Sequence, residues 1–196
     1  MPSSDAPAAT ASTTKNAIRL AVSMFYFGQG LGFASWASRI PTIKADLGLS
    51  EAQLGTILLM LPIGQLLTMP LSATLVNKYG SGRILPLAAM LYALVLVLIA
   101  FSSNAWMLGA ALFLFGIFGN LSNISVNTQG VLAEDIYGRS IMSSFHGAWS
   151  LAGFTGALLG LLALNLHLTT ATHLLIIVAL LAINIIISKK NLVMDA

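Results

Sequence analysis

Four long stretches of the chain carry no Asp, Glu, Lys or Arg: residues 20–38, 52–77, 84–133 and 140–188. About 20 residues of helix cross the roughly 30 Å hydrocarbon core of a bilayer. The first two stretches therefore predict one span each, and the last two are each long enough for two spans and a turn. The expected helices cover about 17–38, 51–77, 84–101, 105–129, 143–164 and 171–188. Polar punctuation marks their ends. Ser50-Glu51-Ala52-Gln53 has the form of a capping box opening the second helix. Ser102-Ser103-Asn104 is a turn, and residues 165–172, with His167 and small hydroxyls, divide the last stretch. The fold class this predicts is an all-α membrane protein of six transmembrane helices.

Composition agrees with lipid as the solvent. Charged residues make up 8% of the chain, against about 25% in a soluble domain, and mean hydropathy is +0.89. The net charge of +3 does not point to nucleic acid, because the nine Lys and Arg sit singly or in pairs at helix ends. The chain has no Cys, which removes disulfides, thiolate metal sites and cysteine nucleophiles. No cofactor or metal is expected. Residues 1–14, rich in Ser, Ala, Thr and Pro, read as a disordered polar tail and not as a cleaved signal; residues 191–196 read as a C-terminal tail. The odd-numbered connections hold Arg39 and Lys44. The termini and even-numbered connections hold Lys15, Arg19, Lys78, Arg83, Arg139, Lys189 and Lys190. By the positive-inside rule, both termini are expected in the cytoplasm.

The helices also divide into two threes. The first and fourth bear Gly or Asn and precede mixed-charge loops, the second and fifth carry small residues, and the third and sixth are uniformly apolar. A 3+3 inverted repeat has this form.

Three segments carry a family resemblance. Residues 70–83, with Lys78, Gly80 and Arg83, resemble the loop between helices two and three of the major facilitator superfamily, with Ala73 in place of the usual Gly and Asn77 in place of the usual Asp. The run Trp36 to Ser50, and Asn127-Thr128-Gln129-Gly130 followed by residues 138–147, are similar to a bacterial branch of that superfamily near the fucose-permease-like sugar porters. The resemblance covers residues 17–188. It implies an alternating-access transporter in a bacterial inner membrane, with a central site between two six-helix halves. Residues Asn77, Lys78, Gly80 and Arg83 would then form a gating loop. Family members have about twelve helices, so this chain resembles an N-terminal half, and a complementary half or a second copy of itself is the implied partner beside lipid and solute. A scaffold or regulatory subunit derived from a transporter is the alternative.

Polar residues within lipid are costly, so each one asks for a reason. Tyr26, Gln29, Phe33 and Trp36 share one face of the first helix; Asn120, Asn123 and Asn127 share one face of the fourth. One reading lines a cavity with these stripes, where Tyr26, Gln29, Trp36, Asn120, Asn123 and Asn127 hold a polar, sugar-like solute by hydrogen bonds and ring faces. The other makes them interhelical glue, worth about 0.6–2 kcal/mol per bond. The resemblance favours the cavity for Gln29, Asn123 and Asn127, since the family's solute contacts lie on helices one and four. Gln65, Thr68 and Ser72 share a face of the second helix and suit packing equally. The pairs Gly28/Gly32 and Gly156/Gly160 read as close-approach sites.

All six acids (Asp5, Asp46, Glu51, Glu134, Asp135 and Asp195) fall outside the expected spans. The resemblance implies a carboxylate where this chain has Asn123, and asparagine cannot carry a proton. His146 is the substitute the sequence offers for proton coupling, and capping a helix end is its plainer role. An intramembrane serine protease is the enzyme rival, but Ser122, Ser125 and Ser150 lack a nucleophile-turn setting. A channel would need a ring of identical polar residues about an axis. No enzyme activity is expected.

Overall fold

The computed structural model describes residues 6–195, with side chains from Thr14 to Asp195. Within these residues the chain is helical without strands: α1 (Ala6–Ala37), α2 (Ile40–Asp46), α3 (Glu51–Leu58), α4 (Met60–Tyr79), α5 (Ser81–Ala100), α6 (Ala105–Tyr137), α7 (Met142–Asn165) and α8 (Thr170–Ser188), ending in a 3₁₀ turn, Lys189–Asn191. The polar tail expected over 1–14 falls, but for Thr14, outside the described side chains.

Among the described residues, five helical stretches are long and apolar enough to cross a bilayer: Glu51–Tyr79, Ser81–Ala100, Ala105–Tyr137, Met142–Asn165 and Thr170–Asn191. The helix α1, charge-free from Leu20 onward, packs against α6, α7 and α8. Two expected boundaries need correction. The fourth helix does not stop near residue 129; α6 continues to Tyr137, where Gly138 (φ +76°) ends it in the left-handed conformation. At 1.5 Å per residue α6 is about 50 Å long, so its last turns run past a bilayer core and can carry Glu134 and Asp135. The loop after the first helix is not irregular either. It holds α2, with Pro41 in its first turn, where a missing N–H is harmless.

Local chemistry explains the ends. Ser50 Oγ accepts from the Gln53 amide (3.2 Å), and the Ser50 amide donates to Gln53 Oε1 (2.9 Å), so the capping box is formed. Asn104 and Thr169 cap α6 and α8 through side-chain oxygens. The interruption at Leu59 between α3 and α4 lies three residues ahead of Pro62, whose ring removes a backbone donor and crowds the carbonyl of Leu58.

Packing is paired. The helix α1 lies along α7 and α4 along α6; α5 packs on α6, α8 packs on α1, and α5 meets α8. Glycines set both main crossings. A Cβ on Gly30 would lie 2.5 Å from the Trp149 carbonyl oxygen, and one on Gly156 would lie 2.8 Å from Ala34 Cβ. Likewise, Cβ atoms on Gly64 and Gly116 would fall onto the carbonyl oxygens of Phe113 and Leu61. The four expected close-approach glycines also lie in contact, Gly28 and Gly32 toward α8 and Gly156 and Gly160 toward α1.

Candidate functional site

Four long helices converge on a cleft of about 150 Å³. Gln29 and Phe33 enter from α1, Leu61 and Gln65 from α4, Phe115, Gly119 and Asn123 from α6, and Trp149 from α7, with Tyr92 of α5 behind them. The lining has no Asp, Glu, Lys, Arg or His. Its polar side chains are three carboxamides and a phenol, which both donate and accept hydrogen bonds, and an indole, which only donates. A larger groove of about 660 Å³ between α3 and α6 is walled by Met60, Ala105, Trp106 and Phe113, with only Gln53 and Thr56 to orient a polar molecule.

The cleft is braced from behind. Tyr92 donates to the Gln29 carbonyl (3.2 Å) and stacks on Phe115 with centroids 4.2 Å apart. Gln29 Nε2 donates to the Gly119 carbonyl at 3.2 Å, tying α1 to α6. A second set adjoins the cleft. The Tyr26 hydroxyl donates to Asn127 Oδ1 (2.8 Å), and Asn127 Nδ2 donates to Asn123 Oδ1 (2.7 Å). Tyr26 also stacks on Phe145, and the His146 ring stands edge-on to it at 5.4 Å.

The expected residues therefore divide. Gln29 and Asn123 line the cleft; Tyr26 and Asn127 are bonded to one another and reach it through Asn123. Trp36 does not line it: the ring is 4% exposed, packed near Phe115 in the apolar core, its indole N–H without a partner. Asn120 is not among the lining residues, and its Oδ1 is buried and unpaired. Gln65, assigned equally to packing from sequence, does line the cleft, as do Tyr92 and Trp149. The polar stripe on the second helix was the signal for Gln65; a lone Tyr in an apolar helix was the only one for Tyr92.

At the end of the bundle that carries the chain's last residues, Lys78 and Arg83 are exposed, and Gly80 turns between α4 and α5 at φ +82°. A clasp that no local pattern foreshadows lies here. Asp195 accepts from the Ser81 amide (3.0 Å), the Ser81 hydroxyl (2.6 Å) and the Gly82 amide (3.0 Å), at the start of α5. Fully buried Gln129 donates to Ser81 Oγ (2.8 Å) and the Val193 carbonyl (2.7 Å), and accepts from the Val193 amide. Partial burial pushes the Asp195 carboxyl up, but the bonds from Ser81 and Gly82 outweigh it and hold the group below its ordinary value. The sign follows. A depressed carboxylate adds its full stabilisation above the unfolded value near 3.8 and loses it as pH falls through the lower folded value. Hydrogen exchange across 191–195 is expected to accelerate in that acid window beyond the intrinsic rate, and Asp195→Asn should abolish the step. An unchanged acid step in Asp195→Asn would remove Asp195 as its cause.

The cleft is thus uncharged, polar and enclosed among helices long and apolar enough to cross a membrane. Residues 20–190 match the family model of the Major Facilitator Superfamily, and the chain belongs to that family. It is thus a multi-pass membrane protein of a transporter family. It is 38% identical over 164 residues to an uncharacterized MFS-type transporter of Yersinia pestis, covering 81% of this chain and 43% of that protein. A membrane protein of Rhizobium meliloti, MosC, is 32% identical over 72% of this chain and 34% of its own length. The crystal structure of the nucleoside transporter NupG superposes with a TM-score of 0.70 at 16% identity, over 87% of this chain and 43% of that one. The chain spans less than half the length of these relatives, and the likeness to NupG is one of fold.

Proposed function

We propose that the chain forms one wall of an alternating-access transporter for a small, uncharged, polar solute of sugar-like character. The observation that carries this reading is the cleft itself, which Gln29, Gln65 and Asn123 line together with the rings of Phe33 and Trp149 and with no charged group among them. Carboxamides pair with hydroxyls in either direction, and aromatic faces pack on C–H groups. Tyr26 and Asn127 orient Asn123. A further six-helix unit, in the same polypeptide, in a partner or in a second copy, supplies the opposite wall. It rests on α3–α4 and α7, the least buried of the spans.

Several observations support the finer reading. Exchanging the first three spans for the last three leaves the packing scheme unaltered, with α1 on α7 answering α6 on α4 and α8 on α1 answering α5 on α6. An inverted 3+3 repeat has this property. The contact of Asp195 with Ser81 puts the last residues at the same end as Lys78 and Arg83; the positive-inside rule makes that end cytoplasmic in a bacterial inner membrane. There Asn77, Lys78, Gly80 and Arg83 form the loop that gates against the opposite wall. His146, beside Tyr26, is the group through which a proton could enter the cycle.

The test is flux in proteoliposomes holding the protein with its completing unit, using a panel of labelled neutral sugars, polyols and nucleosides. For a solute that is carried, Gln29→Leu and Asn123→Leu should each lower kcat/KM about tenfold or more, the effect of one lost hydrogen bond to a buried polar partner. Native rates in both variants would place the solute elsewhere. A preference of the assembled protein for charged solutes would overturn the reading.

A further inference from the structure

We propose that Arg39 and His173 form a proton-sensitive clasp, which closes the end of the bundle opposite the chain's last residues while His173 is neutral and releases it when the imidazole takes a proton. This goes beyond the transport reading and does not depend on it. Arg39 is 1% exposed and His173 3% exposed. Arg39 Nε donates to His173 Nδ1 at 3.0 Å, and an Arg39 terminal N–H donates to the Leu168 carbonyl at 3.1 Å. One guanidinium thus joins the junction of α1 and α2 to α8 and to the turn between α7 and α8.

The chemistry of the bond sets the protonation state. Arginine has donors only, so His173 Nδ1 must present its lone pair, and the neutral ring carries its hydrogen on Nε2. A proton on Nδ1 would set N–H against N–H and place two cations 3.0 Å apart in a buried site. No neighbouring acid relieves that. The only ion pair among the described residues joins Lys44 to Glu51, and Asp46 is exposed on α2. From α5 and α7 no charged group faces the ring; Arg83 and His146 lie at the far ends of those helices, and on α7 a Cβ built on uncharged Gly160 would lie 3.9 Å from Cε1. His167, in the turn, is exposed. The surroundings are also poorly tied: His173 Nε2, Ser35 Oγ and Thr170 Oγ1 are buried without partners. Losing the arginine bond therefore leaves few polar contacts to keep these elements together.

The Cys-free sequence makes the test direct. Ser35→Cys places a thiol at a fully buried position one turn before Arg39. Its maleimide labelling rate, taken as a ratio to that of exposed Ser103→Cys to cancel thiolate ionisation, is expected to rise about fivefold or more from about pH 7.5 to about pH 5. In His173→Gln, whose carbonyl can still accept from Arg39 but cannot titrate, the ratio should stay flat. An equal rise in both proteins, or none in the parent, would overturn the clasp. If His173→Gln does not fold, nitrogen-15 imidazole spectra of the parent decide: the Nε2–H tautomer at neutral pH is expected, and the Nδ1–H tautomer would rule the bond out.

Discussion

Gly116→Ala is expected to destabilise the bundle by about 3 kcal/mol or more, the upper range for overpacking a tight core. A Cβ there would fall onto the Leu61 carbonyl oxygen, 3.0 Å from its carbon and 3.1 Å from the Gln65 amide. All of these are backbone atoms, and backbone cannot rotate aside as a side chain can. Gly64 faces the reverse problem on α4, where a Cβ would meet the Phe113 carbonyl and lie 3.3 Å from the Ile117 amide. The two helices must therefore separate. Separation also moves Gln65 away from Asn123, so the cleft should suffer with the fold. Gly153→Ala is the control: it adds a methyl group with nothing within 4 Å, in the interior of α7. There alanine should be neutral, or stabilising by up to about 1 kcal/mol through helix propensity. Thermal unfolding in detergent reads both. Equal melting of Gly116→Ala and Gly153→Ala would mean the crossing is not set by glycine.

Gln129→Leu should cost about 2–4 kcal/mol, since it removes three hydrogen bonds and strands buried partners. The side chain is wholly buried on α6, and its amide reaches both Ser81 at the start of α5 and Val193 beyond α8. Leucine fills a similar volume and can satisfy none of them. The effect should concentrate at one end of the molecule, with faster hydrogen exchange over 189–195 and little change in the α1–α7 pair. A leucine variant as stable as the parent, with slow exchange in that segment, would show that Gln129 only fills space.

Much of the architecture was legible because lipid imposes a simple grammar. Runs without charge located the helices, and Ser50 with Gln53 marked a start that the capping bonds realise. The errors have physical reasons. Absence of charge tracks hydrocarbon, whereas a helix can continue into water, as α6 does through Glu134 and Asp135. The mixed charges of residues 39–51 read as a loop, yet Pro41 is at home in the first turn of a short helix there. Periodicity put Trp36 on a face with Tyr26 and Gln29, but it cannot say which part of that face meets a cleft and which meets the core. The bonds of Gln129 and Asp195 were not legible because their partners lie 64 and up to 114 residues away, and no local pattern announces such a meeting.

The pairing of α1 with α7 bears on how the molecule is made. A chain emerging from the ribosome delivers α1 first, but its main neighbour comes only after α3–α4, α5 and α6. By contrast α4, α5 and α6 find one another in direct succession. The helix α1 therefore reaches the membrane well before α7 can enclose it, and until then Gly30 and the buried Ser35 face lipid or an insertion partner. The order of synthesis lets α4, α5 and α6 pack as neighbours before α1 can meet α7.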